Sequence, residues 1–290
     1  NVVWANEYDK EIWETYENNH PETWLDRRDI RTISSDEIPD CIGIIGGPPC
    51  QSWSEGGAQR GMNDDRGKLF LEYIRILKDK QPRFFLAENV SGLLHQKHRQ
   101  ALKNIIASFE EAGYTVSFNL LNTQSYNVPQ DRKRVIFIGY HLDLDRRFNF
   151  DFLQPCTQIL TLRDAIWDLQ DSAIPALAKT KTNGSACSVP NHEYMTGGFS
   201  SIYMSRNRVR SWAEPSFTIQ AGGRHAPIHP QAHKMIHVGK DKFIFDPKSP
   251  QLYRRLSIRE CARIQTFNDD FILYYNNLLA GYKMLGNAVP

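Results

Sequence analysis

The sequence predicts an α/β fold: an open, mostly parallel sheet with helices on both faces, joined to a smaller, loop-rich lobe. Two observations predict the sheet and a third predicts the lobe. Up to about residue 140, short apolar runs alternate with amphipathic segments, the texture of strands linked by crossover helices. Among those runs, "CIGIIGG" is continuously apolar, as a strand buried on both faces should be. From residue 172 to about 256 the periodicity fades, and Gly, Pro, Ser, His and Arg become frequent.

Each element has its own justification. "NVVWANEYD" reads as a strand ending in acidic residues, and "KEIWETYENN" as a helix that Asp9 can cap. In "RGKLFLEYIRILKDK", Leu69, Phe70, Tyr73, Ile74 and Leu77 recur at helical spacing, and Pro82 follows. "RFFLAENV" reads as a buried strand, residues 97 to 112 as a helix, and "YTVSFNLL" and "RVIFIGY" as further strands. After the loop-rich stretch, "SIRECARIQTF" returns to helix and "GYKMLGNAVP" heads back toward the sheet. The first lobe, residues 1–171, is thus interrupted by a second at 172–256 and completed by a return segment at 257–290. The opening in mid-strand at Asn1 and the stop after "GNAVP" predict natural termini outside this sequence.

Composition narrows the possible functions. No apolar run approaches the ~18 residues of a membrane span, and no basic–apolar signal segment opens the chain. Cys41, Cys50, Cys156, Cys187 and Cys261 form no C-x-x-C pair and have no zinc-finger spacing with histidines. No metal site is expected, and scattered cysteines suit a reducing cytoplasm. The net charge of +2 is unevenly spread. Between residues 172 and 258, twelve Lys and Arg face four carboxylates, a net +8 against −6 for the remainder. A basic module on a mildly acidic one points to a polyanionic partner.

Three candidate groups fall just past the carboxyl ends of expected strands or in the turns beside them, where open α/β sheets bind ligands. Cys50 follows "CIGIIGG", Glu88 ends "RFFLA", and "QDRKR" precedes "VIFIG". Pro48 and Pro49 stiffen the loop before the thiol, and Gly46 and Gly47 allow another molecule close to the main chain. A thiol of ordinary pKa ~8.5 is intrinsically nucleophilic, and a rigid loop supplies the orientation that attack requires.

"GGPPCQSWS", "ENV", "QDRKR", "RECARIQ" and "GNAVP" stand in an order and spacing that resemble the DNA (cytosine-5) methyltransferases over essentially the whole chain. "ANEYDK", "RGKLF" and "MSRNRVR" look most like the bacterial restriction–modification branch acting at GGCC. The resemblance implies a Rossmann-like catalytic domain dependent on S-adenosylmethionine, interrupted by a target-recognition domain. Cys50 would attack carbon 6 of a flipped-out cytosine, turning carbon 5 into a nucleophile. Glu88 would hold and protonate ring nitrogen 3, and Arg134, with Arg132 beside it, would bind the cytosine oxygen.

The resemblance also assigns the cofactor site. Glu7 would bind the ribose hydroxyls, Tyr8 would pack on adenine, and Asp29 with Ile30 would read the adenine edge. Pro48, Leu69, Asn287 and Val289 match positions lining the methionine end. The family's first strand and glycine-rich cofactor loop belong before Asn1 and its closing helix after Pro290, so poor cofactor binding by this sequence alone is expected. In the basic lobe, Arg206, Arg208 and Arg224 resemble readers of bases, with Arg210 beside them; Lys179, Lys181 and Lys234 suit phosphates. The expected partner is double-stranded DNA, and the expected state is a monomer in the bacterial cytoplasm. A tRNA cytosine-5 methyltransferase and an inactive DNA-binding fragment are the alternatives.

Overall fold

The computed structural model describes residues 1–49 and 65–290. In chain order the first half runs β1 (Trp4–Asn6), α1 (Lys10–Asn19), β2 (Trp24–Asp26), β3 (Gly43–Gly46), α2 (Asp65–Lys80), β4 (Phe84–Val90), α3 (Arg99–Glu111), β5 (Tyr114–Asn122), β6 (Gln130–Asp131) and β7 (Lys133–His141). The second half is α4 (Leu162–Ile166), β8 (Ile174–Pro175), β9 (Glu193–Tyr194), β10 (Ser216–Phe217), β11 (Ile236–Gly239), β12 (Lys242–Ile244), α5 (Ile258–Ile264) and α6 (Leu278–Asn287). Two compact units result. The first comprises Asn1–Asp9, Glu22–Asn122 and Lys133–Gln154, and the second Lys10–Pro21, Thr123–Arg132 and Pro155–Pro290.

The first unit is the α/β sheet that the alternating texture predicts. Its four-stranded sheet has the order β3-β4-β7-β5. β3 and β4 pair in parallel, and β7 runs antiparallel to both β4 and β5, so three strands point one way and β7 the other. β1 and β2 form a separate parallel pair. Alternation along each strand decides its faces. Phe85 and Ala87 of β4 join Val135 and Phe137 of β7 in a core with Phe70, Ile74 and Leu77 of α2 and Ile105 and Phe109 of α3. The Phe85 ring lies across β7 at Gly139, where an added Cβ would fall 2.0 Å from the ring. Leu86, Glu88, Arg134 and Ile136 belong to the opposite parity and face away from those helices.

The second unit gathers more than the basic segment. Leu162 and Ile166 of α4, Ile258 and Ala262 of α5, and Leu278 and Leu285 of α6 share one core with Met195, Ile219 and Ala226. Packing therefore crosses the expected composition boundaries at 172 and 256. α1 belongs here too. The Thr15 and Asn19 side chains exchange hydrogen bonds with the backbone of Tyr274 and Ile272, more than 250 residues along the chain. A smaller apolar cluster around Tyr203, Val209, Ile228 and Met235 supports the β11–β12 hairpin. No helix among the described residues is long and apolar enough to cross a membrane.

Candidate active site

In the first unit, strand direction brings Glu88 and Arg134 together. Because β7 is antiparallel to β4, its first residues lie beside the last residues of β4: Arg134 pairs with Val90 and Ile136 with Glu88. The two charged side chains are thus diagonal neighbours on one face, within reach of long side chains. Arg134 Nε lies 2.6 Å from Glu88 Oε1, and the side chains are only 16% and 19% exposed. Burial pulls the Arg134 pKa down, against the pull of Glu88.

The chain leaving β3 reaches the same place. Asn89 Nδ2 donates to the Pro48 carbonyl at 3.1 Å, tying the diproline turn to the end of β4. A Cβ on Gly47 would lie 3.2 Å from Glu88 Oε2, so only glycine leaves the carboxylate its present room. Glu88, Arg134, Gly47 and Pro48 therefore converge. Cys50 lies outside the described residues, one position beyond Pro49.

Two expectations change here. Glu88 and Arg134 are inside β4 and β7 rather than in strand ends and turns. Arg132 belongs to the second unit. It is 1% exposed, and its guanidinium donates to the carbonyls of Ile219, Gly286 and Ala288, all in the second unit. A guanidinium so engaged holds backbone in place instead of facing a substrate.

The acidic and aromatic residues expected to hold a nucleoside lie at the carboxyl ends of β1 and β2. Glu7 N donates to the Asp26 carbonyl at 3.1 Å, and Asn6 Nδ2 bonds the carbonyls of Asp26 and Arg28, joining the two strand ends. Glu7 Oε1 accepts Asp9 N at 2.7 Å, and the neighbouring Tyr8 side chain is 69% exposed. Asp29 caps the short 3-10 turn Ile30–Thr32 and pairs with Arg31, which holds its carboxyl below the usual range. Ile30 is half-buried. Two carboxylates, an exposed ring and an aliphatic side chain at one strand edge fit a ribose diol and an adenine. Pro48 is buried and Leu69 half-buried in this unit. Asn287 and Val289 are exposed at and just after the end of α6, in the second unit. No cluster of three or more metal-binding side chains occurs among the described residues.

The basic lobe sorts its arginines. Arg206 and Arg224 are exposed. Arg208 is 8% exposed, donates to the carbonyls of Tyr203 and Ile202, and stacks 4.7 Å from the Tyr203 ring centroid. Arg210 pairs with Glu214 and Asp131 and lies over Phe217. Arg208 thus braces the lobe from within, in place of its expected outward role, and the half-buried Arg210 is held by two carboxylates. Arg224 projects from the 3-10 turn Gly223–His225, whose Gly223 sits against the Tyr282 ring of α6. Lys179, Lys181 and Lys234 are exposed. Sequence reasoning passed over Gln130 and Gln265, which are fully buried; their only signal is a place inside "QDRKR" and "RECARIQ".

Comparison with known proteins gives matches over the whole chain. The profile of the C-5 cytosine-specific DNA methylases matches residues 1–290. The chain is 57% identical to the type II methyltransferase M.FnuDI of Fusobacterium nucleatum, covering 100% of this chain and 84% of that protein. It is also 57% identical to the type II methyltransferase M.MthTI of Methanothermobacter thermautotrophicus, covering 100% and 87%. Among solved structures, the Dnmt2 methyltransferase of S. pombe superposes with a TM-score of 0.64 at 17% identity, covering 100% of this chain and 87% of that one.

Proposed function

Because the chain belongs to the C-5 cytosine-specific DNA methylases, and is by that membership an enzyme of DNA cytosine-5 methyl transfer, we propose that it acts on the inner cytosine of GGCC, with HaeIII-type specificity. The observation that carries the catalytic assignment is the Glu88–Arg134 pair against Gly47 and Pro48, two positions before Cys50 in the sequence. Cytosine is a weak electrophile at carbon 6, so three functions must coincide. The Cys50 thiolate forms a bond to carbon 6 of the flipped base. Glu88, in its protonated form, binds ring nitrogen 3 and delivers the proton that offsets the developing charge, becoming the carboxylate that pairs with Arg134. Arg134 binds the exocyclic oxygen on carbon 2, where a guanidinium already drawn into a partly buried position is most effective. Carbon 5 then becomes nucleophilic; after methylation, transfer of its proton to solvent restores the carbon 5–carbon 6 double bond and expels the Cys50 thiolate.

S-adenosylmethionine, when bound, supplies an electrophilic methyl group. Glu7 would hold its ribose, Tyr8, Asp29 and Ile30 its adenine, and Pro48, Leu69, Asn287 and Val289 its methionine end. Arg206 and Arg224 are the side chains left to read guanines in duplex DNA, and the exposed lysines neutralise phosphates. A bacterial cytoplasmic monomer within a restriction–modification system is the setting that fits this reading. Bisulfite sequencing after incubation with GGCC duplexes and with tRNA transcripts tests it. Protection at the inner cytosine of GGCC is expected. Protection confined to tRNA, or at no cytosine, overturns it, and turnover by Cys50→Ser refutes the covalent role.

A further inference from the structure

Three polar side chains that the reaction does not use are sealed inside the second unit. Gln130, Arg132 and Gln265 are 0%, 1% and 1% exposed. Gln130 Nε2 donates to Gln265 Oε1 at 2.8 Å, while Gln130 Oε1 accepts Ile219 N at 2.9 Å. Gln265 Nε2 donates to the carbonyls of Leu285 and Ala288. Arg132 Nη1 donates to Ile219 O at 2.9 Å, and its Nη2 donates to Gly286 O at 3.0 Å and Ala288 O at 2.8 Å. Both backbone groups of Ile219 and the carbonyls of residues 285, 286 and 288 are thus held by side chains from two other segments.

The two segments so joined also touch directly. A Cβ on Gly286 would fall 2.1 Å from Ala221 N, and one on Gly223 would fall 2.6 Å from the Tyr282 ring. Residues 282 and 286 lie on one face of α6, so residues 219–226 rest on that helix at two points. Buried donors and acceptors engaged at this many points favour one arrangement and penalise others, because a shift strands polar groups away from water.

These segments carry residues assigned to different substrates. Arg224 follows Ile219 on one, and Asn287 and Val289 follow Gly286 on the other. We propose that Gln130, Arg132 and Gln265 form a polar clasp that fixes the spacing between the DNA-reading turn and the segment lining the methyl donor's site. Arg132 is then a positioning residue for both substrates and does not touch the cytosine. The inference rests on the function proposed above for Arg224, Asn287 and Val289.

A matched control lies in the same unit. Arg259 is 0% exposed and also donates to backbone carbonyls, those of Pro190, Asn268 and Phe271, none of which the clasp holds. Arg132→Lys keeps the charge and loses the planar fork; Arg259→Lys does the same elsewhere. Calorimetry gives the affinity for S-adenosylhomocysteine, and methylation rates give selectivity for the duplex that the unmodified protein prefers over single-base variants of it. Arg132→Lys should weaken the ligand about tenfold and cut selectivity about tenfold together. Gln265→Met should produce both changes at about threefold, and serves as the test where Arg132→Lys fails to fold. Arg259→Lys should lower the melting temperature and leave both quantities unchanged. Parallel changes in the Arg132 and Arg259 variants, or a fall in kcat alone for Arg132→Lys, overturn the clasp. A preferred duplex other than GGCC refutes the proposed specificity and leaves this comparison intact.

Discussion

Glu88 and Arg134 approach to 2.6 Å, and Glu260 and Arg254 to 2.7 Å. The separations are alike, but the surroundings are opposite. Glu260 is fully buried and accepts two hydrogen bonds from Arg254 and one from Ser257 N, with His229 Nε2 3.5 Å away. Ser257 in turn donates to His192 Nδ1, whose Nε2 donates to the Leu169 carbonyl. Burial alone would raise the Glu260 carboxyl, yet Arg254 and the two histidines outweigh it and hold it at about 2. Glu88 and Arg134 keep part of their surface open, beside the turn that leads to Cys50. The same kind of ion pair is a fixture where closed in and, under the proposed function, a reagent where it stays partly open. The prediction is that one pair governs stability and the other governs rate.

The largest effect should come from breaking the closed pair. Glu260→Gln leaves Arg254 buried without its counter-charge, a loss of about 3–5 kcal/mol that calorimetric melting will show. Breaking the open pair should shift the effect to catalysis. Arg134→Ala is expected to slow methyl transfer by roughly 10²–10³-fold while the melting temperature stays nearly constant. Acid perturbs the closed network more gently. Burial lowers His229 from about 6.5 to about 4, and a depressed histidine contributes stability at high pH that is lost as pH falls. Glu260, lowered from 4.5 to about 2, contributes with the same sign over a lower window. Urea titrations should therefore show stability declining from about pH 6.5 to 4 and again toward pH 2. His229→Gln should flatten the upper limb, leaving the smaller part due to His192, whose pKa burial also lowers.

The basic lobe sharpens the contrast on a smaller scale. Arg224→Ala should cost about 1–3 kcal/mol of discrimination at one guanine, read as a loss of preference among single-base variants. Arg208→Ala should instead lower the melting temperature, since its guanidinium is tied to Tyr203 and Ile202. Smallest of all, Lys234→Gln should reduce the slope of log K against log salt by roughly 1 without changing sequence preference.

Much of this was legible in the sequence because it depends on local pattern. The spacing of Leu69, Phe70, Ile74 and Leu77 gives the buried face of α2, and the apolar run through Ile44 gives β3. Glu88 and Arg134 were recognisable through the motifs around them. Their contact was not, because periodicity carries no strand direction, and it is the reversal of β7 that places Arg134 at the end of β4. Arg206 and Arg208 stand two residues apart in the same motif, and only the carbonyls of Tyr203 and Ile202 separate an exposed side chain from a bound one. The unit boundaries escaped for a similar reason. Thr15 and Asn19 read as ordinary polar helix positions until residues 272–274 are folded against them.

The most direct test of the contrast between the two pairs is a side-by-side measurement of Glu88→Gln and Glu260→Gln, recording single-turnover methyl transfer per folded molecule and the melting temperature of each. At least a hundredfold loss of rate is expected for Glu88→Gln at an unchanged melting temperature. A much lower melting temperature is expected for Glu260→Gln, with near-normal transfer in the molecules that remain folded. Wild-type transfer by Glu88→Gln would show that the open pair has no part in the reaction.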